Sequence, residues 1–497
     1  MSYLSQDTPF AFIKLGGGLN DTGGPFSLND SESPDLQNID FDKFGSIMPR
    51  NGYAILNTGA INDGAKTITN PCLGLYFFRT PTVEKAINVT LDKVYRMDSL
   101  DGTWDDISGT DSKLNTGGEY HCDFATFKSK LFITNDYNVP KQWDATGSTS
   151  DMTVVSGLTK AKFIEIYQNY VFMANVVVSG VDSPTRVYWS AIRDETSWNA
   201  ADWVEIGYED GEEITGLKAH GDRLVVYKSK SIWYMTFTGN VDVPFLVFKS
   251  NSGVGCAAPY SIQSVNNSHV FLSWDGLYYF DGINSYKISD KINNTFRNIN
   301  RDRITYAKSA YQADKNRYLL SVASATSTYN DLTLVLDSFN QGFSKYAGIS
   351  ASSIAVFNIS GVEERVYFSD YIGHTYRADS GVNDTPSNTT IAVNSYYYTN
   401  WKNYNDITDK KGIPHAYIYH SNTSGALTFA YSYDFATTDQ YTQSFTMLTT
   451  TTVSDLGVRR GLTGRGRVVR FKFANSNTST SFVVHGIGVQ ANLQSKA

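Results

Sequence analysis

Carboxylates are the side chains of this 497-residue sequence placed densely enough to suggest acid–base chemistry. The run Glu209-Asp210-Gly211-Glu212-Glu213 gathers four of them, and Asp275 and Asp281 stand six positions apart between residues 273 and 282. Two carboxyl groups on either side of a glycosidic bond could act as general acid and general base. The plainer reading is stronger, because Asp-Gly after a strand is a hairpin-turn signal and acidic loops are usually solvated. The 7 histidines, His121, His220, His269, His374, His415, His420 and His485, are scattered, with no His-x-x-x-His pair. His121, Cys122 and Asp123 are consecutive, but neighbours in a strand point to opposite faces, so the three do not easily share a metal. A Gly-x-Ser-x-Gly elbow, a Walker A loop and a dinucleotide-binding fingerprint are all missing. These residues predict no enzyme, no catalytic or cofactor-binding residue and no metal site.

Two further clusters could bind rather than react. Arg459, Arg460, Arg465, Arg467, Arg470 and Lys472 form a basic run in which Arg470 and Lys472 alternate with Phe471 and Phe473. That alternation predicts a half-buried strand with its charges outward. It could contact phosphates or an acidic partner, although a solvated strand is the simpler reading. Tyr396, Tyr397, Tyr398 and Trp401 could hold a sugar or a partner protein, but packing within a sheet explains them more economically. Ser273-Trp274-Asp275-Gly276 has only a superficial likeness to an Asp-box, since its Gly comes one position early and the motif does not recur. Trp143-Asp144 and Trp274-Asp275 lack the Gly-His pair of a WD repeat.

These residues must be positioned by strands. Aromatic residues make up 14% and charged residues 18% of the chain, against roughly 25% charged in an average soluble protein. Aromatic and β-branched residues suit pleated, half-buried surfaces. Helical periodicity is almost absent, the best short candidate being 290–300. Short apolar or alternating runs dominate, separated by Gly, Asn, Asp and Ser. One pattern of turn, strand, turn and strand recurs, centred on Val89, Leu131, Val171, Leu224, Val270, Tyr318 and Val366, at spacings of 40 to 53 residues. That period is the mark of a β-propeller with one four-stranded blade per repeat, because a lone four-stranded sheet cannot bury both faces. The expectation is an all-β chain in three parts. Residues 1–60 form an extended N-terminal arm ending in a hairpin about Asp42–Gly45. Residues 61–384 form a propeller of six or seven blades, with closure either within the repeats or by a strand from elsewhere in the chain. Residues 385–497 form a C-terminal β-sandwich.

Net charge is −7, which argues against a generic nucleic-acid binder, since such proteins neutralise phosphates with basic residues. Cys72, Cys122 and Cys256 are far apart and odd in number, so neither a disulfide framework nor a zinc knuckle is expected. The opening MSYLSQDTPFAFIKLGGG lacks a basic stretch leading into an apolar one, and no secretory leader is expected from it. No run approaches 18 apolar residues, so no membrane insertion is expected.

The segment 16–53 carries a resemblance. It opens Gly-Gly-Leu-Asn at 17–20 and continues with Pro25-Phe26-x-Leu28. Pro34-Asp35-Leu36-Gln37-Asn38-Ile39-Asp40-Phe41, Gly45-Ser46-Ile47 and Arg50-x-Gly52-Tyr53 follow. With 273–296 and the C-terminal Tyr-Ser-Tyr-Asp-Phe and Arg-Gly-Arg-Val-Val-Arg-Phe-Lys-Phe elements, it resembles the tail nozzle, tail tubular or packaged-DNA-stabilisation proteins of short-tailed bacteriophages. The resemblance implies a virion protein made in the host bacterial cytoplasm. It implies a homo-oligomeric ring, commonly of six copies, below portal and adaptor proteins and beside tail fibre, spike or needle proteins. DNA would pass through without sequence-specific binding. No catalytic residue and no cofactor is implied. A carbohydrate-binding or depolymerising tail propeller and a distal baseplate or minor tail protein are the alternatives.

Overall fold

The alternating runs become seven four-stranded antiparallel sheets, 74–106, 123–151, 158–205, 214–249, 263–287, 308–347 and 353–377, the last completed by Ala54–Ile55. The chain is seen in a computed structural model. It describes residues 10–42, 45–57, 59, 61, 71–98, 100, 102–109, 114, 118–387, 389–404, 407–420, 426–446, 457–478 and 481–493. Each of the seven repeat centres falls on the second strand of a blade: Glu84–Val89, Lys130–Thr134, Tyr170–Val178, Arg223–Lys228, Ser268–Ser273, Arg317–Val322 and Arg365–Ser369. The second strand is covered on both faces by the adjacent blades, so it is nearly all buried and reads as a compact apolar run. The first strands pack around a closed circle, Ser353–Phe357 of blade seven meeting Gly74–Arg79 of blade one.

Blade seven shows how the circle is held. Its outermost strand is Ala54–Ile55, paired with Thr375–Arg377 more than 300 residues away in sequence. A strand from before blade one thus completes the last sheet, which answers the open question of blade number and of closure. The helix candidate at 290–300 becomes a 3-10 turn at Asp290–Ile292 and the five-residue helix Asn293–Arg297.

The N-terminal segment takes a different course from the one its composition suggests. It does not stand apart as an arm, because its strands belong to a two-layer sandwich. In one layer Ile39–Phe41, Ile47–Pro49, Val484–Leu493, Lys411–His420 and Gly457–Gly461 lie in that order, with Phe10–Lys14 also on Val484–Leu493. In the other, Leu36–Gln37 pairs with Ser395–Tyr398, followed by Val469–Asn475, Ala426–Tyr433 and Tyr441–Thr446. The physical reason is the spaced apolar side chains Ile13, Leu15, Leu19, Leu36, Ile39 and Ile47, all buried in one core with the C-terminal strands. These few residues are hidden among Gly, Asn and Asp, so the segment reads as polar although it buries a stripe. That same core runs on through Val270, Leu272, Leu320 and Leu334 of blades five and six, and so joins sandwich to propeller.

The turn of the arm's hairpin is closed by Gly45 N–H to the Asp42 carbonyl at 3.0 Å, while Lys43 and Phe44 lie outside the described residues. In Val469–Asn475 burial alternates as the sequence predicts, with Phe471 and Phe473 fully buried and Arg470 and Lys472 half-buried.

Candidate functional site

The residues that carried the family resemblance meet on the outer strand of blade six, Gly342–Ala347. Leu19 N–H donates to the Phe343 carbonyl at 2.8 Å, and Asn38 N–H to the Lys345 carbonyl at 2.7 Å. Asn38 has φ of 55°, a conformation Asn tolerates better than most residues. That geometry lets its amide oxygen accept from Ala347 N–H (2.9 Å) and from Arg50 Nε (3.0 Å) while its Nδ2 donates to the Asn394 carbonyl (2.8 Å).

Arg50 is the hub. Its guanidinium donates to both carboxylate oxygens of Asp384 at 2.8 and 2.7 Å, and to the carbonyls of Asn51 and Ala347. Both side chains are almost fully buried, at 2% and 7% exposure. Planar forked donors matched to a carboxylate make the strongest ion pairs, and the extra carbonyls satisfy the remaining protons. Asp40 accepts from Arg317 at 2.9 Å and from the Tyr346 hydroxyl. Asp35 accepts from Lys345 at 2.9 Å and from Tyr396 at 3.1 Å. Arm, blade six and sandwich are therefore joined by polar contacts that are buried at Arg50 and Asp384 and partly exposed at Asp35.

Two glycines of the resemblance are explained by close backbone approach. A Cβ on Gly18 (φ +80°) would lie 2.6 Å from the Gly342 Cα, and one on Gly52 would lie 1.8 Å from the Asn383 carbonyl oxygen. No side chain fits either place.

A second candidate lies on the propeller axis. The first strands of the blades and the turn at Pro259–Ser261 enclose a cavity of about 470 Å³, a size suited to small molecules. Glu165 and Lys218 pair across it at 3.6 Å. Asp123 accepts from Phe124 N–H and Ile164 N–H, each at 3.0 Å, and burial pushes its carboxyl up to about 6. Lys308 is 5% exposed. Its Nζ sits 3.4 Å from the centroid of the Tyr260 ring, and burial pulls its ammonium down to about 7. Pro259 and Tyr260 also line a smaller cavity of about 250 Å³ with Glu119, His121 and Trp274. Tyr260 thus stands between the two, with its hydroxyl donating to the His121 carbonyl at 2.8 Å. Burial holds the His121 imidazole well below its usual range, with Lys308 adding to the shift.

The carboxylates singled out in the sequence are occupied with folding. Asp210 pairs with the fully buried Lys228, which also donates to the Ile206 carbonyl at 2.9 Å. Glu212 accepts from Lys230 N–H and Ser231 Oγ, and Glu213 from Asn175. Asp275 accepts from Tyr278 and Lys287, while Asp281 caps the turn at Ile283 and Asn284. His121 and Asp123 line different cavities.

The basic run is similarly divided. Lys472 pairs with Asp439 at 2.8 Å, and Arg470 lies over Tyr398 and Trp401 at 4.6 and 4.7 Å. Tyr397 is buried and donates to the Ser31 carbonyl at 2.7 Å. The aromatic cluster therefore packs and hydrogen-bonds within the sandwich. Arg459, Arg465 and Arg467 remain exposed.

Sequence reasoning passed over Asp384 and Lys308 and met Arg50 only within the family pattern. Burial in Lys308–Gln312 does not alternate, since Lys308, Ser309, Ala310 and Gln312 are all buried, so the strand's pattern does not single Lys308 out.

Comparison with known proteins supports the family read from the arm. Residues 88–323 match the phage-stabilisation family, described as Bacteriophage P22 Gp10, beta-propeller. The matched stretch begins in the second strand of blade one and ends just after the second strand of blade six. No curated protein sequence matches significantly. Among solved structures, the computationally designed Ika8 protein is similar at 13% identity and TM-score 0.40, covering 66% of this chain and 99% of its own. A chain of the mitotic checkpoint complex is similar at 8% identity and TM-score 0.38, covering 65% of this chain and 96% of its own.

Proposed function

We propose that this chain, with its phage-stabilisation propeller over residues 88–323, is a structural component of a phage tail. It assembles as a ring of identical copies, leaves a conduit for DNA along the ring axis and helps to retain packaged DNA. The family match is the observation that carries this reading. The acidic balance agrees with it: six copies at a net charge of −7 each would line a passage with charge that repels phosphate rather than holding it. In this reading the conduit runs between copies and not along the axis of one propeller, where Tyr260 stands between two small cavities.

The described part of the arm packs on its own chain. Blade four offers an edge. Its outermost strand Phe245–Lys249 carries Leu246 and Phe248 at 47% and 43% exposure, and the preceding turn carries Val241 and Val243. An open edge strand bearing apolar side chains favours association with another chain. Replacing both Leu246 and Phe248 with Glu should shift the purified protein toward monomer in sedimentation velocity. Unchanged assembly would remove blade four from the interface. A depolymerising role draws less support, since Asp210, Glu212, Glu213, Asp275 and Asp281 all have structural partners.

A further inference from the structure

The axial cavity presents an imbalance between its two kinds of charge. Its carboxylates are satisfied: Asp123 accepts two backbone N–H groups, and Glu165 has Lys218 as its counter-ion. Lys308 is not. It is 95% buried on the first strand of blade six. Among the described residues no carboxylate lies within ion-pair distance of it, and no acceptor takes any of its three N–H groups. The face of Tyr260 lies 3.4 Å from it, which attracts the cation but brings no negative charge to neutralise it. Lys308 lines the cavity, so whatever fills that space must meet its charge.

The wall beside Lys308 offers one further donor, although Asp123 and Glu165 also line the cavity. Ser353, also on the cavity wall and buried, receives Leu75 N–H at 2.9 Å on its oxygen. No acceptor for its own hydroxyl proton is present among the described residues. Gln263 and Ser309 complete this side, tied by Gln263 Nε2 donating to the Ser309 carbonyl at 3.0 Å. A cavity of about 470 Å³ with an unsatisfied cation and a spare hydroxyl donor on its wall is complementary to a small group that brings acceptors and negative charge.

We infer that the axial cavity of the propeller is a binding site for a small oxyanion, a carboxylate or a tetrahedral anion, held by the Lys308 ammonium with Ser353 as a second donor. The site is independent of the tail reading, since it rests on the cavity of one propeller. Water in place of the anion would supply acceptors but not charge. The titratable groups that face Lys308 are Tyr260, His121, Cys72, Cys122, Asp123 and Glu119. Cys72 and Cys122 stay protonated, as burial pushes the Cys72 thiol up to about 11 and the Cys122 thiol higher still. The charge of the site near neutrality is therefore set by Lys308 against Asp123.

The test uses the full chain with sodium sulfate and sodium acetate as probes, neither of which changes charge between pH 6 and 8. Thermal unfolding is followed as each salt is added, for the native sequence and for Lys308→Met, with sodium chloride at matched ionic strength as reference. The inference predicts a rise in Tm that follows a one-site saturation curve in the native protein and is lost in Lys308→Met. A response to acetate alone assigns a carboxylate site, to sulfate alone a tetrahedral one, and either supports the inference. Affinity should weaken by about tenfold per pH unit above about 7, as the free amine loses its proton. Equal responses of native protein and variant, or no response beyond that to chloride, would overturn it. Should Lys308→Met fail to fold, the Lys308 Cε resonance of the native protein gives the answer. The anion must raise the pH at which that amine titrates, and an unmoved titration overturns the inference.

Discussion

Arg50 illustrates how a single residue of the sequence motif acts in the fold. Its guanidinium binds Asp384 in two parallel hydrogen bonds with both groups out of water. Replacing a buried pair by apolar groups can be harmless, but removing one partner leaves a naked charge and costs about 3–5 kcal/mol. Arg50→Met should therefore lower unfolding free energy by about that amount in urea titration, with the double variant Arg50→Met, Asp384→Leu recovering part of the loss. A loss below about 1 kcal/mol for the single variant would show that water reaches the pair. From sequence alone Arg50 was visible only as part of a family pattern, because its partner lies 334 residues away. Lys308 was less visible still. A lysine in a strand reads as an outward-facing residue, and only the curvature of the ring turns this one onto the axis. The acidic loop shows the opposite case: its carboxylates suggested chemistry, yet Asp210, Glu212 and Glu213 are held by Lys228, Ser231 and Asn175.

Strands and turns were the most legible scale. The seven repeat centres each mark the second strand of a blade, since a strand buried on both faces leaves the clearest apolar run. The outer strands left weaker traces: Asp105–Asp106 and Ser150–Asp151 are two exposed residues each. The arm was the hardest element to read. Its strands are two to five residues long, too short for a period, and their pairing is with strands from the far end of the chain. Gly18 tests how tightly this element is seated. It combines φ of +80° with a Cβ position 2.6 Å from the Gly342 Cα. Gly180 has nearly the same φ, +78°, with nothing within 4 Å. Gly180→Ala should cost about 1–2 kcal/mol for the left-handed conformation alone. Gly18→Ala should cost about 1–3 kcal/mol more, for the displaced backbone, and should speed proteolysis of the arm. Equal losses for the two variants, measured by thermal unfolding, would show that the arm shifts freely on blade six.

At the scale of the whole molecule, propeller and sandwich are locked by a shared core and by the strand that completes blade seven. Such a body is suited to a fixed place in a larger assembly, with its apolar edge on blade four available to a neighbour. Copies of this chain are proposed to form a ring around the path of the DNA. Electron microscopy of the virion, with the protein located by an antibody fragment or by fitting the seven-bladed disc into density, tests it most directly. The account predicts a closed ring of discs centred on the tail axis, with the passage between copies rather than through them. Discs found only at the periphery of the tail, clear of the axis, would contradict it.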